Sequence, residues 1–210
     1  MRGFEVTAGN ASLKDLAAIA DAFEATPGSL LPLDHPLENE WDTTAWDVLS
    51  ATARGFRAKV CVLGKLAEWK LFEVLDSHRE LDSRLSTVVW NDSDDEPDFL
   101  LTWDGKPLRV ECKNVRRDIK KPDRLRVELQ KTRNFKDGTN TRSYPRNKFD
   151  LLAACLYNQT RTWRFVYCPT RRLIGREGQA DLLAIYHEIP TPTKLPWTEK
   201  LIEAVEDVCG

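Results

Sequence analysis

The chain has 210 residues, 41% of them hydrophobic, enough for one domain of ordinary size with a real core. Its formal charge of −2 is an average: residues 109–148 hold 14 Lys and Arg against five acids, and the remainder is acidic. Five cysteines without a CxxC pair argue against a zinc ribbon or a disulfide framework, three scattered histidines against a histidine-based nuclease or zinc hydrolase, and no run reaches membrane-spanning length. The start, Met1-Arg2-Gly3-Phe4, lacks the long apolar core of a signal peptide, so a cytoplasmic protein with reduced, mostly buried thiols is expected. Ser12-Leu13-Lys14-Asp15 opens a predicted helix whose stripe is Leu16, Ile19, Ala20 and Phe23, ended by Pro27-Gly28. Residues 28–40 read as irregular. A second helix is predicted with Asp42 as N-cap, carrying Trp46 and Leu49 inward; Trp41 and Trp46 read as core, with base stacking the alternative. Leu66, Trp69, Phe72 and Leu75 recur at helical spacing and predict an amphipathic helix over 65–77. Strands follow over 85–90, 98–103 and 108–113. Residues 122–135 read as a helix, with Asp123 near its start and Leu125, Leu129 and Thr132 inward. Residues 148–157 fit both periods, and a strand is preferred because the segment is short and a clear buried strand, 163–168, follows closely. A terminal helix over 198–208 closes the chain.

The most informative stretch is Pro97-Asp98, followed thirteen residues after the Asp by Glu111-Cys112-Lys113. Between them, Phe99-Leu100-Leu101-Thr102-Trp103 is β-prone, Asp104-Gly105 is a strong turn signal, and Pro107-Leu108-Arg109-Val110 restarts an extended segment. Side chains alternate along a strand, so Glu111 and Lys113 share one face, Cys112 takes the other, and Asp98 reaches the first face from the partner strand. Two hard oxygen ligands with open positions suit Mg²⁺ or Mn²⁺, which keep waters and take a substrate phosphate. A lysine beside them can orient or deprotonate an attacking water.

Pro97, Asp98, Glu111 and Lys113 resemble the PD-(D/E)xK nuclease superfamily, whose signature is a Pro-Asp pair and a Glu-x-Lys triplet on adjacent strands. The resemblance covers residues 65–170, about half the chain. It implies an α/β fold with a restriction-endonuclease-like α-β-β-β-α-β core, its mixed central sheet flanked by helices. The chain then divides into an N-terminal helical extension, 1–63, and a nuclease-like core with a C-terminal helix, 64–210. By the same resemblance Asp98 and Glu111 hold the divalent cation and Lys113 acts at the nucleophilic water. Glu68, on the first helix, takes the place of a further metal-facing acid, or is a solvated residue paired along its helix. The helix over 122–135 offers Gln130 and Lys131 toward the nucleophile or scissile phosphate, or turns them to solvent.

The basic segment is the footprint expected of a protein that neutralises phosphates. Its candidates are Arg116, Arg117, Lys120, Lys121, Lys131 and Arg133. Arg142 and Arg146, in the loop Arg142-Ser143-Tyr144-Pro145-Arg146, add guanidiniums that grip a backbone without reading bases. The acidic run Asp92, Asp94, Asp95 and Glu96 reads as a solubilising loop or as a tuner of the site. The reading is a Mg²⁺-dependent endonuclease acting on DNA, with RNA left open and Mn²⁺ as a substitute. A double-strand cut needs two active sites, which makes a homodimer reasonable. The rivals are a non-catalytic nucleic-acid-binding module of the same fold and a structural or toxin-neutralising partner protein whose basic segment meets an acidic protein.

Overall fold

The computed structural model describes residues 35–93, 96–130 and 143–210. The predicted first helix, Asp94, Asp95, Lys131, Thr132, Arg133 and Arg142 lie outside them. The chain divides into two units, Met1–Val60 and Cys61–Gly210. In the first, α1 (Pro36–Trp41) is capped by His35 and Glu38 in a reciprocal box, so part of the segment expected to be irregular is helical. Asp42 ends α1 in a left-handed conformation instead of starting the next helix. Thr44 is the N-cap of α2 (Ala45–Arg54), its hydroxyl accepting from the Asp47 N–H at 3.1 Å. Trp46 and Leu49 are not inward; they are 75% and 60% exposed.

Helix α3 (Phe56–Leu81) extends well beyond the predicted 65–77. Its buried line is Ala67, Leu71 and Leu75, spaced by four, while Leu66 and Trp69 are largely exposed. The stripe is thus rotated from the one expected, because small Ala67 lets the helix approach the sheet where bulky Trp69 cannot. Trp69 instead joins Phe72 and Trp90 in a half-exposed aromatic cluster.

A five-stranded mixed sheet follows: β1 (Leu85–Trp90), β2 (Phe99–Trp103), β3 (Lys106–Asn114), β5 (Leu151–Cys155) and β6 (Phe165–Pro169), adjacent in that order. The first three form an antiparallel meander, β5 runs parallel to β3, and β6 returns antiparallel. Trp103 pairs with Lys106, so β2 and β3 are joined by the two residues Asp104 and Gly105, both at positive φ (46° and 74°). That is the primed turn whose twist matches a hairpin, and it requires such residues.

Strands β5 and β6 are buried throughout, which accounts for their near-continuous apolar sequence. On one face Val110, Cys112, Ala153 and Tyr167 pack with the α3 line and with Leu201, Ala204 and Val205 of the terminal helix α5 (Leu201–Cys209). On the other, Leu152, Ala154 and Val166 meet Val127, Leu129, Tyr144, Phe149, Ile189 and Trp197. Each fully buried leucine contributes about 1.5–3 kcal/mol.

The helix expected over 122–135 is not observed in its described part. Residues Leu125–Glu128 are strand β4, paired antiparallel with β9 (Tyr186–Ile189). Leu125 and Leu129, four apart, satisfy both a helical and a strand period. Val127 between them decides for the strand, since it is β-branched and fully buried with Leu129. The described part of the parallel crossover from β3 to β5 therefore carries a strand within the span where a helix was expected. Two further short strands, β7 (Gly175–Arg176) and β8 (Gln179–Leu183), were not expected. The four-residue α4 (Tyr157–Thr160) links β5 to β6. Among the described residues no helix is long and apolar enough to cross a membrane. Cys112, Cys155 and Cys168 are buried free thiols, whereas Cys61 is exposed. His187 is 2% exposed, with Nε2 2.9 Å from the Ala184 carbonyl oxygen.

Candidate active site

Asp98 stands immediately before β2, opposite Glu111, because Phe99 pairs with Val110. The Asn91 side chain donates to the Pro97 carbonyl and the Asn91 N–H to the Asp98 carbonyl, both at 2.9 Å, closing the entry to the strand. Asp98 Oδ2 accepts the Cys112 N–H at 2.7 Å. That bond ties the carboxylate to the neighbouring strand.

The ammonium of Lys113 lies 2.5 Å from Glu111 Oε1, 3.1 Å from the Cys112 carbonyl oxygen and 3.6 Å from Asp98 Oδ2. Three oxygens, two from β3 and one from the residue that precedes β2, thus converge on one cation. Glu111 is 3% exposed and pairs in register with Leu152 of β5, which is fully buried. A quarter of the Lys113 side-chain surface remains exposed, which opens the cluster to solvent.

Burial pushes the Glu111 carboxyl up, the Lys113 ammonium opposes that rise, and the Asp98 charge adds to it. Burial works against the charge on Lys113, but Glu111 and Asp98 outweigh it and hold its pKa well above the usual lysine value. The lysine is therefore charged at neutral pH.

Tyr144, which the sequence placed only within a basic loop, donates its hydroxyl to Glu111 Oε1 at 2.8 Å. Burial raises its pKa, so the hydroxyl keeps its proton and remains a donor. Its ring packs edge-on against Phe149 at 5.8 Å, and Pro145 biases it to an extended backbone. The only sequence signal was that Tyr-Pro pair. Were Glu111 a metal ligand, Tyr144→Phe would raise the metal concentration needed for half-maximal activity by about 10- to 100-fold, as for other changes behind a ligand. A metal titration indistinguishable from wild type would reduce Tyr144 to a packing residue.

Glu68 is paired along its helix and across to β1. Its Oε2 accepts from Lys65 Nζ at 2.9 Å and from Trp90 Nε1 at 3.1 Å, and Lys65 also pairs with Asp92 at 2.8 Å. Among the described residues, no three His, Cys, Asp or Glu side chains gather as a metal group. What Asp98, Glu111 and the Cys112 carbonyl offer is a set of hard oxygens, and Mg²⁺ is commonly held by one or two carboxylates with the rest of its shell left to water and phosphate. The donors fit that ion. Gln130 is half-buried and follows Leu129, whose N–H donates to the Ile185 carbonyl at 2.7 Å.

The β3–β4 loop carries the basic candidates. Arg116, Arg117, Lys120, Arg124 and Arg126 line a cleft of about 320 Å³ together with Asp118 and Ile119. Arg116 pairs with Glu128 at 2.9 Å and donates to the Tyr186 hydroxyl at 3.1 Å; Arg124 pairs with Glu188; the Arg126 guanidinium lies 4.3 Å from the Tyr186 ring centre. Arg117, Lys120 and Lys121 are exposed and have no ion pair among the described residues. Arg146 is engaged internally, donating to the carbonyls of Ala180 at 3.0 Å and Leu173 at 3.2 Å.

No family model matches the chain, and no curated protein matches it. Among solved structures it is similar to a bacterial homing endonuclease, I-Ssp6803I, at 17% identity and a TM-score of 0.42, over 60% of this chain and 75% of that one. At that degree of similarity the functional reading rests on the site itself.

Proposed function

We propose that this chain is a divalent-metal-dependent endonuclease that hydrolyses phosphodiester bonds in DNA, of restriction, genome-defence or repair type, in keeping with the PD-(D/E)xK resemblance of Pro97, Asp98, Glu111 and Lys113. The observation that carries the reading is the convergence of Glu111 Oε1, the Cys112 carbonyl and Asp98 Oδ2 on the Lys113 ammonium. An oxygen set that already surrounds one cation suits another of higher charge. Asp98 and Glu111 are the proposed ligands of Mg²⁺ or Mn²⁺, which when bound supplies a Lewis acid for a phosphate oxygen and a water of lowered pKa.

The protein's own groups do the rest. Tyr144 fixes Glu111, the Cys112 N–H fixes Asp98, and Lys113 stands between the two acids. Because both acids hold its proton on, Lys113 serves first as a donor that aligns the nucleophilic water and stabilises charge on the phosphate. Removing the water's proton requires those carboxylates to be neutralised. A pure binding module gains nothing from two acids on a phosphate-facing surface, since they repel the ligand.

Plasmid, linear and single-stranded DNA incubated with Mg²⁺ or Mn²⁺ and with a chelator test the proposal. Cleavage confined to the metal arms supports it, and binding without cleavage in every arm favours the non-catalytic module. The loop cations give a second expected result. Neutralising Arg117, Lys120 and Lys121 together should lower the slope of log affinity against log salt by about one for each phosphate no longer neutralised. An unchanged slope would place the nucleic acid elsewhere. A homodimer is the proposed arrangement for cutting both strands.

A further inference from the structure

The basic loop is closed by hydrogen bonds that leave its cations outward. Asp118 turns its carboxylate inward, Oδ1 accepting the N–H groups of Lys120 and Lys121, each at 3.1 Å. The Arg124 N–H donates to the Lys121 carbonyl at 3.0 Å. Gln159, on α4, fastens the whole turn: its Oε1 accepts the Asp118 N–H at 2.8 Å. Its Nε2 lies within reach of the carbonyls of Asp118 at 3.1 Å, Lys121 at 3.2 Å and Pro122 at 2.5 Å. Next to it, Asn158 Nδ2 donates to the Val115 carbonyl at 3.1 Å, where the loop leaves β3. One side-chain amide therefore serves several backbone groups of the segment that presents the three outward cations.

We infer that Gln159 is the positioning residue of a preformed phosphate-backbone cradle made by Arg117, Lys120 and Lys121, and that this cradle holds nucleic acid without regard to base sequence. The inference rests on the nuclease reading above. A loop held in its binding geometry does not lose conformational freedom when the ligand arrives, and affinity rises by that saving. Point charges and guanidiniums directed at phosphates carry no base information.

The test measures binding of two duplexes of unrelated sequence by fluorescence anisotropy, in chelator and at several salt concentrations. It compares wild type, Gln159→Ala, Gln159→Met and the Arg117/Lys120/Lys121→Ala protein. Gln159→Ala and Gln159→Met are both expected to bind the two duplexes roughly tenfold to a hundredfold more weakly, with a shallower salt slope. Wild-type affinity and slope in Gln159→Ala, with only a lower melting temperature, would overturn the inference. So would recovery in Gln159→Met, which restores bulk without the hydrogen bonds. If the triple variant weakens binding and Gln159→Ala does not, the positioning role alone falls. If the triple variant also binds as wild type, the loop is not the nucleic-acid interface.

Discussion

Asp98→Asn and Glu111→Gln proteins are expected to bind nucleic acid and leave it uncut. Each substitution keeps the local hydrogen bond: asparagine still accepts the Cys112 N–H, and glutamine still accepts the Tyr144 hydroxyl. Folding is therefore preserved while the ligand charge disappears. The loss in cleavage rate should be on the order of 10³-fold, as when a group that stabilises transition-state charge is removed. Binding in chelator should hold or tighten, since one negative charge facing phosphate has gone. Gel-shift and single-turnover cleavage on the same preparations read both quantities, and wild-type cutting by either variant would remove the metal-site assignment.

Lys113→Met should lose cleavage by about 10²- to 10⁴-fold, the usual contribution of a positioned proton donor or acceptor. Metal affinity should not fall, because the ammonium competes for the oxygens offered to the ion. The same variant exposes a pH dependence. Without the ammonium, Glu111 keeps its burial and its Asp98 neighbour, both of which push its carboxyl up. A carboxyl whose folded pKa exceeds its unfolded value stabilises the fold below the unfolded pKa and loses that contribution as pH rises through the folded one. The melting-temperature deficit of Lys113→Met relative to wild type should therefore grow from the ordinary carboxylate range upward. A deficit that is constant between about pH 5 and about pH 8 would mean that Glu111 does not depend on Lys113 for its charge.

The hairpin was legible because its information is local. Period-two alternation set Glu111 and Lys113 on one face, and Asp104-Gly105 fixed the two-residue turn and hence the register that brings Asp98 opposite Glu111. Longer-range features were not. Tyr144 meets Glu111 across 33 residues of chain, and nothing near either residue announces the other. Which cations lack an ion pair among the described residues was likewise decided elsewhere: Glu128 and Glu188 engage Arg116 and Arg124, and two carbonyls engage Arg146, whereas Arg117, Lys120 and Lys121 meet no acid there. The segment holding β4 misled because leucines four apart serve two periods. The partners of Glu68 were legible only in part, since Lys65 is its helix neighbour but Trp90 reaches it through a helix packed with Ala67, Leu71 and Leu75 inward.

A Mn²⁺ titration followed by electron paramagnetic resonance tests the central claim most directly, because it reads the site without requiring the right nucleic-acid sequence. Wild-type protein is expected to take up Mn²⁺ at a site lost in Asp98→Asn and in Glu111→Gln and retained in Lys113→Met. Equal Mn²⁺ uptake by wild type, Asp98→Asn and Glu111→Gln would contradict it.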